Sequence, residues 1–490
     1  MNKVLQTVLA LCVGICGAAA AEPETSGVAA ARAAAIRQDL AENQQLLDQY
    51  GSFAAMAAAL KPAMEANQAA VTASSAGRWI GDTFVAPGPV PMEPGNYTEF
   101  KTGILRLNQF LKRRNIDLIV VRFPSRNEAA FPFFAGQPVG IGVSNPYYRQ
   151  LERELLEADV EYIDGLKAVH ADPTSWPLYY WYNIPGEGHP AEGALQAVAG
   201  VVAERLKRYN LPKSGDFHWI DDLDNYSGKG YFHRYPAGNP KFAADTPVVV
   251  KALRTADGKA PEIIERNQSP LLYISDSYGG YQGKSDKGAS LPHYVMAKNQ
   301  HLADWMYRSG SSEGAATFLA RKGEDFLRGR RVIVLNAHPG NLKGVSILYD
   351  DELLYVKPER LHPLLTIQGE ALAQIQHTAA ENTLKVLPNG SLRLSSTPTT
   401  VNPPRFVLKL PAAARTYRAV AIQLTLSKHS YLSVIAKSGK YMQREVLSTS
   451  EKVPVLSIYL RLDGDTVTLD FPYAQNELII DKLVISGVDL

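Results

Sequence analysis

A three-layer α/β domain followed by an all-β sandwich is the fold class this sequence predicts. Between about residues 80 and 355, short apolar runs rich in β-branched residues alternate with stretches of helical periodicity. After about Arg360 the periodicity switches to two. The 490 residues amount to roughly three domains of ordinary size, which fits two large domains and an extension.

The amino-terminal segment reads as an export signal rather than as part of the fold. Lys3 is followed by an apolar run from Val4 to Cys16 and by small residues at Gly17 to Ala21. This is the three-part layout of a secretory signal, with cleavage expected after Ala21 and residues 1–21 removed. A second reading, a lipoprotein signal ending at Cys16, puts Ile15 where a small residue is expected. No later run reaches the roughly 18 apolar residues of a spanning helix, so the mature protein is expected to be soluble in the periplasm. Both cysteines, Cys12 and Cys16, fall in the signal, and the mature chain can form no disulfide. Loss of Lys3 takes the formal charge from +2 to +1, and no basic block of the kind that tracks a phosphate backbone is present. Nucleic acid is therefore not expected as a partner. The sequence has no HExxH, no cysteine outside the signal and only singly scattered histidines, so neither a metal nor another cofactor is expected.

Residues 22–79 are expected to form a helical extension. From about Ala29 to Ala70 the chain is rich in Ala, Gln and Glu, with Ile36, Leu40, Leu47 and Tyr50 at roughly helical spacing, and with no reactive group it is assigned a packing or tethering role. The α/β domain, residues 80–355, opens on a helix whose face carries Phe100, Ile104, Leu107 and Leu111. Ile116 to Val121 then reads as a buried strand. It ends in the polar loop Arg122-Phe123-Pro124-Ser125-Arg126, at a strand end where α/β folds place their sites. A second helix and a short strand from Val160 to Ile163 close at Asp164. Further strands are predicted at Leu271 to Ser275 and Val332 to Leu335, with helices marked by Leu195, Val198, Val202 and Leu206 and by Ala315 to Leu327. Between them Asp216 to Pro270, rich in Tyr, Gly, Pro and Asn, reads as a loop-bearing insertion.

In the C-terminal domain, residues 360–490, Leu456, Ile458, Leu460 and Leu462 alternate with polar neighbours. Asp463-Gly464-Asp465 turns the chain, and Val467, Leu469 and Phe471 alternate again, which predicts a hairpin with one buried face. Similar alternation at Ile422, Leu424 and Leu426, and the closing run Leu478 to Ile485, fill out a sandwich.

Two segments carry chemistry. LLYISDSYGG sets Asp276-Ser277-Tyr278 directly after an apolar strand, with Gly279 and Gly280 next, so Ser277 stands on a strand-to-loop turn where backbone amides can approach an oxyanion. On its own the tripeptide is ordinary turn chemistry. The second segment, GEGHPAEGALQAVAGVVAERL, places Glu187 and His189 in a Gly-rich loop before a helix. Serine needs a base to remove its proton, histidine is matched to that task near neutral pH, and a carboxylate beside the histidine fixes its tautomer. Glu187 and His189 as solvated cap residues are the bland alternative, and finding both segments in one chain weighs against it. The Ser277 amide, Gly310 in the Ser309-Gly310-Ser311 loop and the Asn336 side chain are candidate oxyanion donors, and His338 is a rival base. Arg126 and Tyr278 are candidate substrate contacts, as is Trp181 within the aromatic run Trp176, Tyr179, Tyr180, Trp181 and Tyr182, whose flat rings suit sugar faces.

A strand followed by Asp-Ser and an aromatic, with a carboxylate-x-His-Pro loop ahead of an amphipathic helix, resembles the SGNH hydrolase superfamily. The order, histidine loop before serine, is similar to its alginate and exopolysaccharide O-acetyltransferase branch. Ile119 to Arg126 resembles that branch's strand ending in Pro-Ser-basic, Val160 to Leu166 its Asp-containing strand end, and Leu327 to Leu342 its helix-to-strand close. The resemblance covers about residues 80–350 and implies Ser277 as nucleophile, His189 as base and Glu187 as the carboxylate, where the family usually has Asp. Pro190 stands where the branch commonly has an aromatic and matches the His-Pro of SGNH esterases, which leaves transferase and esterase both open. The C-terminal sandwich resembles the carbohydrate-binding modules of the same transferases. What the resemblance implies is a periplasmic O-acetyltransferase that modifies an exopolysaccharide through acetyl-Ser277, with a membrane-bound acyltransferase and secretion-complex proteins as partners. A carbohydrate acetylesterase using the same residues and a non-catalytic polysaccharide-binding scaffold stay as alternatives.

Overall fold

The computed structural model describes residues 26–62, 94–124, 146–171, 190, 192–224, 248–261, 269–280, 288–307, 319, 322–337, 353, 356, 358–380, 382–397, 400–429, 432–447 and 453–490. Residues 1–21, read as the signal, lie outside this set.

The first domain is built on five parallel strands. In chain order its elements are α1 (Ser26–Tyr50), α2 (Pro94–Lys112), β1 (Asp117–Arg122), α3 (Pro146–Glu157), β2 (Glu161–Asp164), α4 (Gly165–His170) and α5 (Glu192–Leu206). They continue with β3 (His218–Asp224), β4 (Val248–Arg254), β5 (Leu271–Ser275), α6 (Ser277–Gly280), α7 (Leu291–Asn299), β6 (Asp304–Tyr307), α8 (Glu324–Leu327) and β7 (Val332–Ala337). The sheet order is β2-β1-β7-β5-β6, with every pairing parallel.

The continuous apolar runs of the sequence are the strands of this sheet, buried on both faces as parallel strands must be. Successive side chains point to opposite faces, so the runs divide in two. Leu118, Val120, Leu272, Ile274, Ile333 and Leu335 share one core with Phe100, Ile104 and Leu107 of α2 and Leu151 and Leu155 of α3. Ile119, Val121, Tyr273, Val332 and Val334 share the other with Val198 and Val202 of α5 and Leu291 and Val295 of α7. Helix, sheet, helix is the three-layer arrangement that the alternating pattern predicts.

Helix α1 packs beside β2, an edge strand of the sheet. Its Val28 joins one core and its Ile36 the other, so it spans the border between the two layers. Arg32 pairs with Asp159 at 2.9 Å and lies 3.7 Å from Asp117 at the start of β1; Asp39 pairs with Arg205 at 2.9 Å and Glu42 with Lys167 at 2.6 Å. Within the predicted insertion, β3 and β4 form an antiparallel pair, with Tyr294 of α7 donating to Lys251 O of β4 at 3.1 Å and its ring 5.1 Å from that of Trp219 on β3.

The second domain is all antiparallel: β8 (Leu361–Gln368), β9 (Gln376–Thr378), β10 (Leu384–Val386), β11 (Leu392–Ser396), β12 (Arg405–Lys409), β13 (Ala419–Lys428), β14 (Leu432–Ser438), β15 (Tyr441–Leu447), β16 (Val455–Arg461) and β17 (Thr466–Val488). β17 runs for 23 residues and pairs along its length with β12, β14, β11, β13 and β8. The inward residues of these strands close on one apolar core.

The hairpin predicted across Asp463-Gly464-Asp465 does not form. β16 pairs with β13, whereas the start of β17 pairs with β12 and β14. Period-two alternation states which face is buried but not which strand lies alongside. What redirects the chain is Asp463: its carboxylate accepts from Lys440 N at 3.1 Å and its own N–H donates to Ser438 Oγ at 3.0 Å, which ties the turn to the β14–β15 turn. Gly439 there has φ +51°, and a Cβ on it would sit 2.5 Å from an Asp463 carboxylate oxygen, so only glycine admits the contact.

Candidate active site

β5 delivers Ser277 to the carboxyl end of the sheet. Five buried residues run into Asp276, and Ser277 opens the short helix α6, a strand-turn-helix path at the end of a parallel sheet where such folds place their ligands. The turn is tight because residue 279 is glycine. A Cβ there would lie 2.7 Å from Ser275 Cβ and 2.9 Å from Ser275 Oγ, so the helix crosses the strand end at a separation no larger residue permits. Gly279 N donates to Asp276 O at 3.1 Å.

Side chains hold both flanks of the turn. Asp276 is fully buried, and its Oδ1 accepts from Tyr278 N at 2.9 Å and from Asn336 Nδ2, at the end of β7, at 3.3 Å. Ser275 Oγ accepts from Trp305 Nε1 of β6 at 2.8 Å. Behind Trp305 stands His293 of α7, edge-on at 6.2 Å between ring centroids. Its Nδ1 accepts from Ser290 N at 3.2 Å, and since a backbone N–H only donates, the ring proton sits on Nε2. Burial, assisted by repulsion from Arg254, lowers the His293 pKa to about 3, so the ring is neutral at physiological pH.

Two strands along, Arg122 and Asp164 sit opposite each other in register at the ends of β1 and β2. They pair at 2.9 Å with both side chains buried; Arg149 approaches Asp164 at 3.3 Å and Glu152 at 2.7 Å. Burial raises the Asp164 pKa, but Arg122 and Arg149 outweigh it and hold the carboxyl at about 2. The Arg122 guanidinium also lies over the Tyr148 ring, 4.5 Å from its centroid.

Helix α5 runs antiparallel to the strands. Just past its end, Tyr209 donates to Asp117, the first residue of β1, at 2.6 Å, and Arg208 pairs with Glu161, the first residue of β2. The other end of α5, at Glu192, therefore lies on the same side of the sheet as Ser277. Pro190, which follows His189 in sequence, is buried.

Of the residues singled out from the sequence, the structure gathers Ser277, Tyr278 and Asn336 at one strand end. The Tyr278 ring is buried in the core between the sheet and helices α5 and α7, and the Asn336 side chain, also buried, reaches Asp276. Glu187, His189, Gly310, Arg126, Trp181 and His338 lie outside the described residues. Sequence reasoning assigned nothing to Ser275, Trp305 or His293, and only a place in a motif to Asp276. Asp276 could have been suspected from its position against the serine; the tryptophan and histidine carry no local signal.

A second serine–histidine contact, Ser269 Oγ to His301 Nε2 at 3.1 Å, sits at the opposite end of the sheet. Both residues are buried, Ser269 Oγ donates to Leu302 O at 2.7 Å, and His301 Nδ1 donates to Pro212 O at 2.6 Å. It is a staple at the start of β5, on the side away from the ligand crevice of such sheets.

No family model matches the chain, and no curated protein matches it. Among solved structures it is similar to the O-acetyltransferase domain of Pseudomonas putida AlgJ, at 13% identity and a TM-score of 0.40, over 54% of this chain and 92% of that one. It is also similar to Pseudomonas aeruginosa AlgX, at 14% identity and a TM-score of 0.40, over 81% of this chain and 90% of that one. A third similarity, to Bacillus cereus PatB1 carrying a sulfonyl adduct, has 11% identity and a TM-score of 0.32, over 54% of this chain and 93% of that one.

Proposed function

We propose that this chain is a serine-dependent O-acetyltransferase that places acetyl groups on the hydroxyls of an exopolysaccharide in the periplasm. The observation that carries the reading is the placement of Ser277 on a glycine-tightened strand-to-helix turn at the carboxyl end of a parallel sheet, the side from which α5 also starts. A serine so presented has its backbone amide at the turn, where an oxyanion can be received, and α5, which Glu187 and His189 precede in sequence, starts from the same side.

The reaction divides into two acyl transfers. His189 takes the proton as Ser277 Oγ bonds to the acetyl carbonyl carbon; the tetrahedral oxyanion is met by the Ser277 amide, with Gly310 as a further donor; collapse expels the donor's leaving group, which receives the proton. A sugar hydroxyl then gives its proton to His189, attacks the acetyl-Ser277 carbonyl and returns Ser277 Oγ, reprotonated. Glu187 holds the imidazole and stabilises its charged form. The aromatic run through Trp181 supplies rings for a sugar face, Arg126 adds a substrate contact, Tyr278 instead anchors the turn in the core, and a membrane-bound acyltransferase of a secretion complex supplies acetyl.

The test offers p-nitrophenyl acetate as donor and a set of uncharged and uronic-acid oligosaccharides as acceptors, with products weighed by mass spectrometry. Wild-type protein is expected to yield acetylated oligosaccharide, and Ser277→Ala to yield none while keeping its circular dichroism spectrum. Acetate with no acetylated sugar would replace the transferase with an esterase. Equal turnover by wild type and Ser277→Ala would overturn the nucleophile.

A further inference from the structure

Asn336 ends in an amide whose two atoms differ, and its surroundings fix which way it points. Nδ2 lies 3.3 Å from Asp276 Oδ1. A carboxylate only accepts hydrogen bonds, so the donor end of the amide must face it. Oδ1 is left buried, without a hydrogen-bond partner among the described residues. The same Asp276 oxygen accepts from Tyr278 N at 2.9 Å, so one atom joins the backbone just after Ser277 to the end of the neighbouring strand β7. Both side chains are fully buried, where a hydrogen bond to a charged group is strong and its loss leaves a desolvated acceptor.

We infer that Asn336 is a positioning residue for Ser277 and acts through Asp276. Its amide nitrogen is spent on the Asp276 carboxylate and holds the turn in the geometry that presents the serine hydroxyl, rather than reaching substrate. This rests on Ser277 being the nucleophile. Acyl transfer is sensitive to small errors of alignment, so a turn released from β7 slows attack even when the serine itself is untouched. The arrangement also divides the labour at this strand end: Trp305 restrains the residue before Asp276, and Asn336 restrains Asp276 itself.

A double-mutant cycle separates this role from direct contact with the reacting atoms. The readout is the rate at which phenylmethanesulfonyl fluoride labels Ser277, located by peptide mass spectrometry, with thermal melts run on every variant. Asn336→Asp sets two acceptors face to face and is expected to slow labelling by about tenfold or more. Asp276→Ala removes the acceptor that Tyr278 N and Asn336 share, and its labelling rate is the reference for the second background. In that background Asn336 has no carboxylate to hold, and Asn336→Asp should change the rate by less than about threefold. If Asn336 instead met the oxyanion, Asn336→Asp would cost the same in both backgrounds, and that outcome overturns the inference. Should Asn336→Asp fail to fold, Asn336→Thr and Asn336→Val take its place. The threonine variant, which keeps a donor, should label faster than the valine variant, and the difference should vanish in an Asp276→Ala background; a difference that persists there overturns the inference. Wild-type protein that takes no label at Ser277 would remove the nucleophile itself, a result distinct from a labelled wild type whose cycle shows no coupling.

Discussion

His293 shows how one buried side chain makes the fold around Ser277 sensitive to acid. With its pKa lowered to about 3 by burial, the folded protein refuses a proton that the unfolded chain accepts near the ordinary histidine value of about 6.5. The unfolded state therefore binds more protons throughout that interval, so the stability this residue contributes is whole above about pH 6.5 and falls as pH drops toward 3. Inside the window the slope from this group is about 1.4 kcal/mol per pH unit. Urea denaturation at pH 7, 6 and 5 should show that loss, and His293→Gln should remove one proton's worth of slope even if it lowers stability at every pH. Little of this was legible beforehand. Alone in LPHYVMAKN, His293 looks like any helical histidine, and its neutral state comes chiefly from the burial that the fold imposes on it. Gly279 is the opposite case: its place after Asp-Ser-Tyr already suggested a tight turn, and the approach of Ser275 supplies the reason.

Helix α1 is an element whose existence could be read from the sequence and whose docking could not. Its spacing of apolar residues announces a helix, but the contacts that seat it are charged: Arg32 on Asp159 and Asp117, Asp39 on Arg205, Glu42 on Lys167. Charges far apart in sequence leave no periodic trace, so the segment reads as a tether. Arg32 is itself buried, and Asp117 beside it is buried too. Arg32→Ala would take the cation from beside that carboxylate and leave it the Tyr209 hydroxyl, so a cost below the roughly 3 kcal/mol of a fully broken buried pair is expected. Urea titration measures the loss, and limited proteolysis should find new cleavage within α1. The hairpin that failed to form between β16 and β17 has the same origin. Alternation gave each strand its inward face correctly, and the choice of partner was made by Asp463 reaching the Gly439 turn.

Over the whole molecule, the features legible in sequence are those set by periodicity, and the missing ones are those set by contact. Continuous runs became strands buried on two faces, and alternating runs became strands of the C-terminal domain. How ten of those strands join into one assembly was not visible, because β17 is the common partner of five of them and no local pattern marks a hub. Hydrogen exchange should find its slowest amides in the second domain at Leu483 to Ile485 of β17, flanked on both sides by β13 and β8, with the strands that do not pair with β17, namely β9, β10, β15 and β16, exchanging sooner. The hub also has a meaning in time. Every strand that β17 joins precedes it in the chain, so a ribosome working from the amino terminus makes the spokes first and the axle after them. Until Thr466 and the residues after it emerge, β8, β11, β12, β13 and β14 lack their shared neighbour, and the pairings with β13 and β8 are complete only when Val488 is made.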